Sequence, residues 1–281
     1  MTSRRSVALI TAAAVVGAAV LVGLGVAGAL RWISPGRGCD IPASLADQAG
    51  APPSAAPGGG EIQVLEQGFT ANINGGVSVG AILTNTSRSV AYQLHISYRL
   101  VDASSRPLQA ADPAEVIPIL LPGQRIGVGE FIPSAAANRV SGFQVVLGDP
   151  QWRSMSVLGK DFTTVAGTYQ QLTHDATPVA TLSFTEKSAN CRDLAASTVA
   201  VVFRNAGGAI VGGATEFPQG GGSESCARGT SMVRVQGLVR PPATQDARTQ
   251  VYPYCDVMRH RRSLQVTSRK PATENESPPA L

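Results

Sequence analysis

Between Gln93 and Leu100 polar and apolar residues alternate without a break: Leu94, Ile96, Tyr98 and Leu100 fall on one side, and Gln93, His95, Ser97 and Arg99 on the other. A period of two marks a strand with one buried and one wet face. It excludes a helix, whose apolar positions recur every three or four residues. From Glu61 onward the same pattern returns in short runs, with candidate strands at 77–84, 116–121, 125–131 and 142–147 and a turn at Leu121-Pro122-Gly123-Gln124. Glycine (30) and proline (19) are plentiful and charged residues make up only 15%, unlike the Leu-, Glu- and Lys-rich composition of helical bundles. The expected fold class is all-β.

A less patterned connector, residues 149–177 with Trp152, separates this series from a second one. There, Leu182 and Phe184 alternate with Thr181, Ser183 and Thr185, and Val199, Val201 and Phe203 alternate with Ala200, Val202 and Arg204. Strands are expected near 179–186, 197–204, 209–217, 230–238 and 248–254. Shifted by 103 residues, Ile96, Tyr98, Leu100, Asp102 and Ala103 align with Val199, Val201, Phe203, Asn205 and Ala206, each set running into a turn, which points to an internal repeat. The organisation expected is two tandem β-sandwich domains, 61–148 and 178–258, each within the size range of a sandwich.

Val79-Gly80-Ala81-Ile82-Leu83-Thr84-Asn85-Thr86-Ser87, then Ala91, the strand to Leu100, the turn at Asp102, Leu108 and the Leu121-Pro122-Gly123-Gln124 turn resemble the FxLYD-type, immunoglobulin-like domains of bacterial membrane and surface proteins. In that family a strand ends in an Asn-x-Ser turn, the next ends at an acidic turn, and a Pro-Gly turn precedes the strand that closes the sheet. The likeness covers about 50 residues well; in the second series Asn205 stands where the acidic residue would be. It implies two immunoglobulin-like sandwiches with a binding or structural role. Because its motifs are turn and core positions, it carries over no functional residue.

Residues 7–30 form 24 consecutive positions without a charge, and about 20 apolar residues cross a bilayer as a helix. Arg4 and Arg5 precede this run after a very short leader (1–6), which favours a cytoplasmic N-terminus with the rest exported. We therefore expect a signal anchor: a single transmembrane helix that places the C-terminal domains outside the cytoplasm. The rival reading is a cleaved signal peptide, for which Ala27-Gly28-Ala29 offers a small-x-small site and Ser3-Arg4-Arg5 a loose twin-arginine likeness. In that case the protein is secreted. Residues 31–60, with Ala51-Pro52-Pro53 and Gly58-Gly59-Gly60, read as a stalk, and residues 259–281 as a disordered tail. Only Lys160, Lys187 and Lys270 are lysines; with abundant Ala, Gly and Pro, this fits the G+C-rich coding of a bacterium.

The net charge of +4 comes from the ends of the chain. Residues 38–258 hold 14 cations against 17 anions, so the part expected to fold is slightly acidic and lacks the basic stripe of a nucleic-acid binder. The expected partners are the cytoplasmic membrane, through the N-terminal helix, and an envelope protein or cell-wall component, with no nucleic acid. Arg259-His260-Arg261-Arg262 in the tail reads as solvated rather than lipid-binding.

Four cysteines in an exported chain, Cys39, Cys191, Cys226 and Cys255, without any CxxC, are disulfide candidates rather than metal ligands. A meander of strands brings Cys191, Cys226 and Cys255 to one end of the second sandwich. The preferred pairing is Cys191 with Cys226 and Cys39 with Cys255, and a Cys226–Cys255 bridge is the alternative.

No set of residues promises catalysis. Gly76-Val77-Ser78-Val79-Gly80 matches the G-x-S-x-G of serine hydrolases, but that motif needs a strand-to-helix turn with an acid and a His downstream. Ser78 instead sits in an alternating run, read as a strand with bulge glycines. Gly23 to Gly28 satisfy G-x-G-x-x-G only inside the apolar segment, where a pyrophosphate has no place. His95, His174 and His260 are scattered, so neither a metal site nor a cofactor is expected. Asp102 and Asp112 read as turn residues, and the sequon Asn85-Thr86-Ser87 as a turn. The function expected is a non-catalytic, membrane-anchored envelope module. A secreted hydrolase using Ser78, or a passive spacer acting through its helix, stands as the alternative.

Overall fold

The structure, a computed structural model, describes residues 38–45, 56, 59–108, 113–176, 179–219 and 225–257. The leader, the apolar run 7–30, the tail 259–281 and Asp112 lie outside them. Among the described residues no helix is long and apolar enough to cross a membrane. The chain divides into two units, Met1–Cys39 and Asp40–Leu281; of the first, Gly38 and Cys39 are described.

The described part of the second unit is all-β. Its strands are β1 (Ile62–Ile73), β2 (Gly76–Asn85), β3 (Val90–Val101), β4 (Pro113–Leu120), β5 (Arg125–Pro133), β6 (Gly142–Leu147) and β7 (Gln151–Arg153), followed by β8 (Ala166–Ala176), β9 (Val179–Ser188), β10 (Leu194–Arg204), β11 (Ile210–Glu216), β12 (Ser225–Cys226), β13 (Gly229–Val239) and β14 (Gln250–Asp256). In the first half β1-β2-β5 form one antiparallel sheet and β4-β3-β6 the other, with β7 continuing β6 along the same edge of β3. The second half repeats the plan: β8-β9-β13 form one sheet, and β11-β10-β14 the other. The repeat extends to hydrogen bonds at the expected shift of 103 residues. Asp102 N–H donates to Arg106 O and Arg106 N–H to Asp102 Oδ1; Asn205 N–H donates to Ala209 O and Ala209 N–H to Asn205 Oδ1.

Each half folds around the residues that its alternation marks. Leu94, Ile96, Tyr98 and Leu100 meet Val77, Val79, Ala81, Leu83 and Val128 in one core, while Leu182, Phe184 and Val235 meet Val199, Val201 and Phe203 in the other. Burying a large apolar side chain contributes about 1.5–3 kcal/mol, so these two clusters dominate stability. A third cluster at one end joins Ile41, Leu45, Tyr92, Leu158 and Leu194 to the Cys226–Cys255 region.

The two halves are not beads on a string. All ten residues of β2 are buried: Val77, Val79, Ala81 and Leu83 face their own core, and Ser78, Gly80 and Ile82 face the second half. The sheet β1-β2-β5 lies on the sheet β11-β10-β14, giving a stack of four sheets. Stacked sheets usually sit about 10 Å apart, a gap filled by side chains; here glycines let backbones approach. A Cβ on Gly80 would fall 2.4 Å from Gly212 O, one on Gly129 2.6 Å from Gly213 Cα, and one on Gly127 2.3 Å from the Tyr252 ring. The Arg204–Glu66 ion pair at 2.6 Å and the bond from Thr70 Oγ1 to Val211 O at 2.6 Å also cross this junction.

Three expectations need correction. The connector 149–177 holds β7, which puts Trp152 into the first core, and all but the end of its stretch from Ala166 is strand β8. The stalk 31–60 is interrupted at 40–45, where Ile41 and Leu45 are buried. Gly76 and Gly80 are not bulge residues: β2 pairs with β5 in continuous register, and the bulges of this sheet lie on β1.

Candidate functional site

Where the two halves meet, the end of β1 forms a groove with the second half. Thr70, Ala71, Asn72, Ile73 and Asn74 line one wall, His174, Arg240 and Pro242 the other, and the volume is about 520 Å³. The hairpin that shapes the first wall has a local cause. Asn74 and Gly75 take positive φ (46° and 75°) and close a two-residue turn, for which Asn-Gly is the preferred pair. Asn72, also at positive φ, is the bulge residue between Ala71 and Ile73. On the other wall Asp246 gathers the charges. Its Oδ1 accepts from Arg240 Nε at 2.9 Å and Nη2 at 2.7 Å, and its Oδ2 lies 3.5 Å from His174 Nε2. Arg240 is also held by the Thr244 carbonyl at 2.7 Å, so its guanidinium is fixed in place. The groove thus offers two asparagine amides, an imidazole and an oriented Arg–Asp pair on a rigid junction. Such a surface suits binding by hydrogen bonds.

Of the residues singled out from sequence, only His174 lies in this groove. His95 is exposed on the outer face of β3. Ser78 is fully buried between the stacked sheets, where its Oγ donates to Gly213 O (2.9 Å) and accepts from Gly213 N–H (3.0 Å). A serine-reactive phosphonate is therefore expected to leave Ser78 unlabelled. Ser78→Ala is expected to cost about 1–3 kcal/mol in a denaturant titration, since it strands two buried backbone groups.

Asp102 is a turn residue, accepting from the Ser104 and Arg106 N–H groups; these bonds and the Arg106 guanidinium hold its carboxyl below the usual range. Asn85 is buried and fully used, donating to Ser89 O and Leu120 O and accepting from the N–H and Oγ of Ser87, so the sequon is a turn.

Cys226 is bonded to Cys255, and Cys39 and Cys191 are disulfide-bonded as well. This overturns the preferred pairing of Cys191 with Cys226 and Cys39 with Cys255. The reason lies in register: β10 pairs with both β12 and β14 at Leu194–Ala196, which brings Cys226 and Cys255 to within 6.1 Å Cα to Cα. Glu186 approaches these sulfurs to within 4.8 Å, but both are spent in the S–S bond and offer no thiolate to a metal.

One constellation had no sequence signal beyond a lone acid before an apolar run. Glu115 of β4 is buried at the junction, 6% exposed, and touches the hydroxyls of Tyr98, Thr215 and Tyr254. Burial pushes its carboxyl up to about 7. Burial, with Glu115 and then Glu216 as like-charged neighbours, pushes Glu130 of β5 up to about 8. Tyr98 and Tyr254 are both raised well above their ordinary range, first by burial and then by Glu115.

No family model matches the chain, and no curated protein matches it.

Proposed function

We propose that this chain is a non-catalytic, membrane-anchored binding module of a bacterial cell envelope, with two immunoglobulin-like sandwiches of the FxLYD type displayed outside the cytoplasm. The groove between the halves carries this reading: it is concave, mixes apolar walls with a few oriented polar groups, and is built on a junction that the glycine contacts make rigid, so little freedom is lost when a ligand binds. The disulfides agree with an oxidising compartment. The burial of Ser78 speaks against the hydrolase alternative.

The test is cross-linking in intact cells with mass spectrometry of the products, repeated with the double variant Asn72→Ala, Asn74→Ala. One envelope component joined through residues near the groove, and captured at least about tenfold less by the variant, is the expected result. Cross-links confined to residues 7–30, with no effect of the variant, would make the chain a spacer acting through its helix.

A further inference from the structure

The hydrogens around Glu115 can be counted. Its Oε1 accepts from the Tyr98 hydroxyl. Its Oε2 lies 2.7 Å from Thr215 Oγ1 and 3.2 Å from the Tyr254 hydroxyl. Each of these hydroxyls has a second acceptor: the Gly129 carbonyl 2.7 Å from Thr215 and the Gly127 carbonyl 2.7 Å from Tyr254. A hydroxyl carries one proton. With Glu115 ionised, two protons serve four oxygen–oxygen contacts, and two of those contacts face lone pair to lone pair. With a proton on Oε2, three contacts are satisfied: Thr215 and Tyr254 donate to the two carbonyls, and Glu115 donates to one of the hydroxyls.

The carboxyl and both glycine carbonyls belong to the first half, and the Thr215 and Tyr254 hydroxyls to the second. We propose that Glu115 is a proton-operated catch between the halves: as the neutral acid it closes the contact of β4 and β5 with β11 and β14, and loss of its proton loosens that contact. Facing it are Tyr98 from β3, Glu130 and the Gly129 N–H from β5, Thr215 from β11 and Tyr254 from β14, with Glu216 of β11 acting on Glu130. None is a cation; the hydroxyls and the Gly129 N–H favour the carboxylate, and burial outweighs them. Both Glu115 and Glu130 titrate above their ordinary value of 4.5, at about 7 and about 8. A carboxyl raised on folding stabilises the closed form fully below its unfolded pKa and loses that effect as pH rises through the folded value. The catch therefore opens between neutral and mildly alkaline pH, while the glycine contacts farther along the sheets hold the stack.

Hydrogen exchange on the full chain in detergent, at about pH 6 and about pH 9 and corrected for intrinsic rates, tests this. Protection over residues 115–120 and 213–216 is expected to fall at least about tenfold at the higher pH in the unaltered protein, and less than about twofold in Glu115→Gln. The glutamine amide has two protons for Thr215 and Tyr254 and cannot ionise, so every contact is met at both pH values. An equal fall in both proteins, or no fall in the unaltered one, overturns the proposal. If Glu115→Gln does not fold, infrared spectroscopy of the unaltered chain decides. A buried carboxylic-acid band at about pH 6 that is lost by about pH 9 and persists in the double variant Glu130→Gln, Glu186→Gln supports the catch, and its absence from that variant at about pH 6 refutes it.

Discussion

Gly80→Ala is expected to cost about 3 kcal/mol or more, near the upper end of what overpacking does, although it adds a single methyl group to a strand. The added Cβ would sit 2.4 Å from the carbonyl oxygen of Gly212, and the obstacle is backbone that is itself part of a sheet, with no rotamer to change. Gly80 has an ordinary φ, so conformational freedom is not the issue; space is. Relief requires the two inner sheets to move apart, which also strains the Gly129–Gly213 approach and the bonds between Ser78 and Gly213. For a folded unit of this size the loss corresponds to a melting temperature lowered by about 6–12 °C. Gly142→Ala is the control: its Cβ meets only a methyl of Val101 at 3.4 Å, and about 0.5 kcal/mol or less is expected. If calorimetry places the two variants together, the close stacking of the halves is wrong.

The second large effect is at Asn85. Asn85→Ala removes two donors to buried carbonyls, Ser89 O at 2.8 Å and Leu120 O at 3.0 Å, and an acceptor for the Ser87 N–H. A stranded buried group costs about 1–3 kcal/mol, so about 4 kcal/mol is expected from the set. The effect is concentrated here because Asn85 joins two turns: its own backbone also binds Gln124 O and Gly123 N–H in the β4–β5 turn. Asn85→Asp restores the acceptor but places a carboxylate against two carbonyls, so it is expected to do no better. Urea denaturation measures both, and a loss below about 1 kcal/mol for Asn85→Ala would show that the turns do not depend on this amide.

What was legible in the sequence follows burial. Most strands announced themselves through the alternation of bulky apolar with polar or small residues: β6 falls at Gly142–Leu147 as expected, and β2, β3, β5, β9 and β10 fall within a few residues. β1 and β8 did not, because they are edge strands. From Gln63 to Gln67 β1 is exposed at every position, so no apolar period is written into it. The junction was illegible for the opposite reason. A surface that packs backbone on backbone is made of Gly and Ser, and in sequence such residues look like turns, bulges or a hydrolase motif. Glu115 escaped because one acid in a chain carries no pattern; its partners come from β3, β11 and β14, up to 139 residues away. The disulfide end was read correctly and the alternative Cys226–Cys255 bridge is the one present; the preferred pairing failed because it depends on the register of β10 with two other strands.

The repeated halves join by unlike faces: the β1-β2-β5 sheet of the first meets the β11-β10-β14 sheet of the second, which corresponds to β4-β3-β6 in the first. A joint of that kind is heterologous, and between identical units a heterologous joint repeats into a ring where its rotation closes and into a filament where it does not. At the 103-residue shift, Gly80 and Ile82 correspond to Ser183 and Thr185, whose side chains cover the outer face of β9 where another half would dock. At the other end, the outer face of β3 carries the side chains of His95, Ser97 and Arg99, with His95 exposed and the other two half-buried. The outer faces at both ends of the stack carry polar side chains where the inner sheets carry the glycines that let them approach.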